Sequence, residues 1–498
     1  MWISCLRRHP ERSRFSGEAK DLSLNGPQSV SQLNCYQVSV GPDSSHKTLS
    51  RRSTEMPQQT QTLRLQGPTA RLQSVLRHNR VSGKGGVYAV CSAHPRVIDA
   101  AIHQSIEDDS VLHVESTSSQ VNQYGGYTGQ TPRQFAHFVR STAQRAGLHP
   151  DRVLLGGDHL GPFPWRHEAS SSALEKASEL VRDCVFAGYT KIHLDASMAC
   201  ADDGDADPNE ETVAERAAIL CQVAEKTYSE LPSDSQKPVY VIGTEVPAPG
   251  GESLNAQAPV ATVADHVHQT LEAFQRAFEK RGLSSAWERV IALVVQPGVD
   301  FEADTVFDYD RATAASLSAA LSAHAAIVYE AHSTDYQSPS SLRQMVEDHF
   351  AILKVGPWLT FAFREALFAL AAIEREMLEQ RSGCRLSQVR EALEAAMLRN
   401  PAHWKSYYHG DEKDVRRNLT YGYSDRCRYY WNEPAVQEEV ARLLDKLASV
   451  SIPPTVISQY LPLEYEAIRD REIKPTPEML IRSHVLRVLR VYSRACAG

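Results

Sequence analysis

A chain of 498 residues with 42% hydrophobic and 23% charged content has the balance of a folded globular protein, and it exceeds the length of one ordinary domain. Its formal net charge of −8 argues against nucleic acid as a partner, and the absence of any run of about 18 apolar residues argues against a membrane-spanning helix. Charge is uneven: residues 1–80 hold 12 Lys+Arg against 5 Asp+Glu, a net of +7, which leaves −15 on the remainder.

The first 70 residues are rich in Ser, Gln, Arg and Pro without a sustained apolar period, and are expected to form a disordered basic arm. Arg7, Arg8, Arg12 and Arg14 alternate with Glu11, Glu18 and Pro10. Mitochondrial transit peptides are poor in acids, so import is the lesser reading and a cytoplasmic protein the main one. Nine cysteines without a Cys-x-x-Cys pair, an odd number, fit reduced intracellular thiols. The segment Thr69–His78 is the first amphipathic helix, with Leu72, Val75 and Leu76 on one face, and it is placed to plug a barrel floor.

Eight apolar runs follow, each ending in polar residues: 86–92, 111–116, 153–159, 191–197, 239–245, 290–296, 327–333 and 351–357. Helical patterns fill the gaps, at Ser171–Phe186, from a Thr212 capping box, at Val263–Arg281, at Ala314–Ala325 and at Trp358–Gln380. This alternation predicts an α/β fold, a (β/α)8 TIM barrel over 71–380, with a helical C-terminal appendage over 381–498. In such barrels the active site lies at the C-terminal ends of the strands. There the sequence puts Glu115, Asp158, His159, Asp195, Glu245, Gln296, Glu330, His332 and Lys354.

Asp158-His159 directly follows Gly156-Gly157, glycines that would let backbone approach a ligand. His159 has the chemistry of a neutral metal ligand and Asp158 that of a base or an orienting carboxylate; the plainer alternative is a hydrogen-bonded pair closing a loop. Glu330 and His332 are alternate residues at a strand end, so both side chains share one face. Glu245 precedes a Pro/Gly-rich loop. Asp195 is placed either as a base or as a turn cap through Ser197. Ser333 and Gly356 fall where many barrels bind phosphate, and Lys354 offers a charge nearby. Arg426 lies in Tyr421–Trp431, a stretch dense in aromatics and guanidinium groups that either binds a phosphorylated sugar or fastens the appendage to the barrel. The acidic run Asp202–Pro208 lacks the glycine of a calcium loop.

The segments Gly-Gly-Asp-His-Leu-Gly-Pro (156–162), Gly-Tyr-Thr-Lys-Ile-His-Leu-Asp-Ala-Ser-Met (188–198) and Gly-Thr-Glu-Val-Pro-Ala-Pro-Gly-Gly (243–251) resemble the Z-type subunit of D-tagatose-1,6-bisphosphate aldolase. So do Tyr-Glu-Ala-His-Ser-Thr-Asp-Tyr-Gln (329–337), Leu-Lys-Val-Gly-Pro (353–357) and Tyr-Ser-Asp-Arg-Cys-Arg-Tyr-Tyr-Trp (423–431), so that the likeness spans about residues 80–490. The resemblance implies class II, metal-dependent ketose-bisphosphate chemistry, in which the Z-type chain supports a separate catalytic aldolase subunit within an oligomer. Some relatives are described as metal-dependent ketohexose 4-epimerases acting alone. It further implies a divalent metal, zinc by expectation, held by His159, His332 and Glu245. Asp158 or Asp195 would then be the base acting on a ketose or a ketose bisphosphate, with Glu330, Ser333, Lys354, Gly356 and Arg426 around the substrate. No Walker-type glycine-rich loop supports a kinase.

Overall fold

In a computed structural model that describes residues 67–204, 208–244, 259–380 and 382–497, eight parallel strands close into a barrel. They are β1 (Val87–Val90), β2 (Leu112–Thr117), β3 (Val153–Leu160), β4 (Lys191–Leu194), β5 (Val239–Ile242), β6 (Val290–Val295), β7 (Val328–Ala331) and β8 (Ile352–Val355). Each neighbours the next in sequence, and β8 closes on β1 with Ala89 beside Lys354. All eight expected runs are strands. The expected arm falls almost wholly outside the described residues, as does Glu245.

Helices cover the barrel: α1 (Pro68–Ser82), α2 (Pro95–Glu107), α3 (Pro132–Arg145), α4 (Ser170–Phe186), α5 (Glu210–Ser229), α6 (Ala264–Lys280), α7 (Arg311–Ala320), α8 (Pro339–Glu347) and α9 (Pro357–Leu378). Helix α5 opens one turn before the expected capping box, because the Asn209 side chain accepts the Thr212 N–H at 2.9 Å. A short ribbon pairs Asp300–Phe301 with Val306–Phe307. Beyond α9 come α10 (Val389–Arg399), α11 (Glu412–Tyr421), α12 (Pro434–Ala448), α13 (Pro454–Tyr460), α14 (Pro462–Arg469) and α15 (Pro477–Cys496). Helix α15 returns to the barrel wall and packs on α2, α8 and α9, where the Tyr492 hydroxyl donates to the Thr334 carbonyl at 2.7 Å.

Two apolar clusters hold this together. One lies between strands and helices and continues into the C-terminal helices. The other fills the floor, where Leu72 and Leu76 of α1 pack on Leu154, Val239, Ile291 and Ile352. Burial at i and i+4 on α1 follows the helical period, and it closes the barrel end opposite the mouth.

Candidate active site

Side chains alternate along a strand, so every second residue points into the barrel. Here the inward set is charged. Glu115 lies on β2, Asp158 on β3, Lys191 and His193 on β4, Glu330 on β7 and Lys354 on β8, with Asp195 and His332 just past β4 and β7; all are buried. Lys191 Nζ stands 2.6 Å from Glu115 Oε1 and 2.7 Å from Glu330 Oε2. Lys354 Nζ donates to Glu115 Oε2 and lies 2.9 Å from Asp158 Oδ1 and 3.6 Å from Glu330 Oε1. His113 adds a contact of 2.6 Å to Glu115. Two ammonium groups thus bind three carboxylates in the barrel interior, an arrangement that is tolerable only because each charge has partners.

Above this layer three imidazoles meet. Ring centroids of His159 and His332 are 4.9 Å apart, and His193 is 5.3 Å from each. Each ring gives one nitrogen to a carboxylate: His159 Nδ1 to Asp195 Oδ2 at 2.7 Å, His193 Nδ1 to Asp158 Oδ1 at 3.0 Å, and His332 Nε2 to Glu330 Oε1 at 3.1 Å. Carboxylates behind imidazoles are the usual outer partners of metal-binding histidines. The Nε2 atom of His193 is buried without a hydrogen-bond partner. Three histidines around one zinc in tetrahedral geometry place their ring centroids about 5 Å apart, given Zn–N bonds of about 2 Å. Donor atoms of Asp158, His193, Glu330 and His332 all lie within 4.8 Å of one another, a set that shares two of the three histidines and does not include His159. The residues fit a divalent cation, and the buried His193 Nε2 is open to such a ligand.

Backbone conformation supports this convergence. His159 and Ser333 adopt φ of +48° and +52°, a left-handed conformation that non-glycine residues rarely hold and that tends to mark functional sites. Gly161 is obligatory. A Cβ there would sit 1.5 Å from the Asp195 carbonyl oxygen, so its absence lets the end of β4 bring Asp195 against His159. Asp195 is then fixed by the Ser197 hydroxyl at 2.6 Å and the Ser197 N–H at 3.1 Å, so the expected turn cap and the contact with histidine coexist. The Gly156-Gly157 pair is packed against side chains of the barrel. A Cβ on Gly156 would strike the Glu115 side chain, and one on Gly157 the Leu160 side chain, so these glycines make room for protein groups.

Burial alone would raise the carboxyls of Glu115, Asp158 and Glu330, but the facing Lys191 and Lys354 and the histidines hold all three below the usual carboxylate range. Asp195 is likewise held down against its burial by His159. Burial pushes His332 down to about 4 in spite of Glu330, which keeps the ring neutral at physiological pH. His159 moves the other way, because Asp158 and Asp195 outweigh its burial.

The cleft above is lined by Asp158, His159, His332, Ser333, Lys354 and Gly356, and from the C-terminal region by Arg428 and Tyr429. Of the expected site residues, Asp195 and Glu330 lie beneath it as partners of the histidines, and Glu245 is outside the described residues. Gly356 is at the mouth, but its N–H donates to Asp335 Oδ1 at 3.0 Å. Arg426 is not brought to the cleft; its guanidinium lies 3.1 Å from the Tyr407 ring centroid, where it fastens the C-terminal helices. Asp425 does the same through a buried pair with Arg364 at 3.1 Å. Sequence reasoning passed over His193 and Asp335, and took Arg428 and Tyr429 only as part of the Tyr421–Trp431 stretch, with Arg426 as the expected contact. Strand parity was a usable signal for the first, since His193 is two residues before Asp195, as Glu330 is before His332.

The family model described as D-tagatose-1,6-bisphosphate aldolase subunit GatZ/KbaZ-like matches residues 72–497. A crystal structure described as a probable tagatose 6 phosphate kinase from Sinorhizobium meliloti 1021 is similar at 41% identity and a TM-score of 0.75, covering 82% of this chain and 100% of that one. The YdjI aldolase from Escherichia coli K12 is 11% identical at a TM-score of 0.35, over 75% of this chain and 95% of that one. A fructose-bisphosphate aldolase from Campylobacter jejuni is 13% identical at a TM-score of 0.37, over 76% of this chain and 92% of that one. Neither of these two slight likenesses bears on the reaction.

Proposed function

Because the chain belongs to the D-tagatose-1,6-bisphosphate aldolase subunit GatZ/KbaZ-like family, we propose that its barrel mouth breaks and re-forms the C3–C4 bond of a ketose. The observation that carries this reading is the trio of imidazoles, each backed by a carboxylate, with the Nε2 of His193 left unpaired. His159, His193 and His332 would hold a divalent cation, which when bound polarises the C2 carbonyl as a Lewis acid.

The protein's own groups do the rest. Asp158, kept ionised by Lys354, takes the proton from the C4 hydroxyl. As C4 becomes an aldehyde, the C3–C4 bonding electrons pass to the C1–C3 fragment, which becomes an enediolate. Re-attack on the opposite face of the aldehyde inverts C4. Departure of the aldehyde and protonation of C3 complete a cleavage. Asp195 positions His159, and Glu330 positions His332.

The test is turnover of D-fructose, D-tagatose and their 1,6-bisphosphates by the purified chain, with and without chelator. Chelator-sensitive interconversion or cleavage is expected. A second reading has support in the family description itself, namely a subunit that sustains a separate catalytic aldolase. It predicts an inert chain without a metal requirement, whose effect emerges only when the partner is added. We further propose zinc as the cation, a cytoplasmic location and an oligomeric assembly. Among the described residues no helix is long and apolar enough to cross a membrane.

A further inference from the structure

In (β/α)8 barrels a phosphate commonly sits after strands seven and eight, on free backbone N–H groups at a helix N-terminus. The corresponding place here is the start of α9, and it is filled by the protein. Asp335, 2% exposed, accepts the N–H of Gly356 at 3.0 Å and the N–H of Trp358 at 2.8 Å, both on Oδ1. It is a side-chain anion where a ligand anion would otherwise bind.

The cations of the mouth are engaged as well. Lys354 is bound by Glu115, Asp158 and Glu330. Arg428 donates to the Ser424 and Asp425 carbonyls and, at 3.0 Å, to the Tyr429 hydroxyl. Before any metal is counted, the carboxylates of Glu115, Asp158, Asp195, Glu330 and Asp335 outnumber Lys191, Lys354 and Arg428 around the site, and none of these three cations is free for a phosphate. A phosphate dianion entering here would lose its hydration, meet a carboxylate and find the helix donors already taken.

We propose that Asp335 determines specificity by occupying the phosphate position, so that the site takes a ketose whose end nearest α9 is a free hydroxyl and excludes the 1,6-bisphosphate. With both backbone donors on Oδ1, Oδ2 is left to accept from that hydroxyl. Burial pushes the Asp335 carboxyl up to about 6, so the group is still mostly ionised at neutral pH and repels a second anion. The substrate class rests on the catalytic reading above, whereas the blocked anion position does not.

Two measurements on the full chain separate these. The first is 31P line broadening of inorganic phosphate in the presence of chelator, so that no metal holds the anion. Wild type is expected to show no saturable binding. Asp335→Gly, which frees both N–H groups, is expected to bind phosphate saturably, at a concentration at least about tenfold below the highest at which wild type shows no saturation, the scale of one charge-assisted contact. Asp335→Asn keeps an acceptor for the α9 cap and guards against a folding defect; it should gain less than Asp335→Gly. Saturable phosphate binding by wild type would overturn the assignment. So would identical phosphate binding by wild type and two folded variants.

The second measurement compares kcat/KM for free ketohexoses and their 1,6-bisphosphates on the metal-loaded chain. Preference for the free sugar is expected. Equal or better use of the bisphosphate refutes the role of Asp335 and leaves the catalytic reading standing. No turnover of either sugar, with phosphate still excluded by Asp335, refutes the catalytic reading and leaves the blocked position standing.

Discussion

The two ends of this barrel are built on opposite principles. At the floor, Leu72, Leu76, Leu154, Val239, Ile291 and Ile352 make an apolar plug that needs no partners beyond contact. At the mouth, buried Glu115, Asp158, Lys191, His193, Glu330, His332 and Lys354 are stable only through one another. Dispersion and burial stabilise the first end, and satisfied charge merely offsets desolvation at the second. The apolar end tolerates a lost methylene at a graded cost. The charged end is expected to lose most when one of its two lysines is withdrawn from the three carboxylates.

The largest expected effect is therefore at the mouth. Lys354→Met leaves Glu115, Asp158 and Glu330 short of one counter-charge and should lower stability by about 3–5 kcal/mol in chemical denaturation. A loss of less than about 1 kcal/mol would mean that the ionic layer is not held as a unit. Next comes the floor. Leu154→Ala or Ile291→Ala should cost about 2–4 kcal/mol, with metal content per folded chain unchanged. A parallel loss of metal would show that the two ends are mechanically coupled, against the comparison drawn here.

How much of this was legible in the sequence follows the same division. The eight strands and the plugging helix could be read because apolar runs and helical periods are local signals. Asp158, His159, Glu330 and His332 could be placed because each lies at or just past the end of such a run. His193 was harder, since it sits inside a strand whose residues look like core, and only the parity it shares with Asp195 points inward. Asp335 could not be read at all. Its role depends on α9, whose first residues lie about twenty positions further on, and nothing in the local sequence says that its carboxylate caps that helix. Arg426 and Arg428 are two residues apart in one aromatic stretch, and only tertiary packing sends the first onto Tyr407 and the second to the cleft.

A region belonging to neither end gives the smallest effect. His484 on α15 lies 3.0 Å from Glu464 of α14 and 3.2 Å from Glu365 of α9, with Arg487 beside it at 3.4 Å. Burial lowers this imidazole, but the hydrogen bonds to Glu365 and Glu464 prevail and raise it to about 9. A histidine raised on folding stabilises fully below its unfolded pKa of about 6.5, and the contribution fades as pH rises through 9. Wild type should thus lose on the order of 2 kcal/mol between pH 6.5 and 9.5 relative to His484→Gln, read from denaturation midpoints. Parallel pH profiles for the two proteins would remove this coupling from the account.

The central claim is that three histidines at the mouth form a metal centre, and its most direct test is elemental analysis of the purified chain beside His193→Ala. The account predicts about one divalent ion per wild-type chain, and its loss in a variant that keeps the circular dichroism of the folded barrel. Equal metal content in both proteins, or none in wild type after incubation with zinc and desalting, would contradict it.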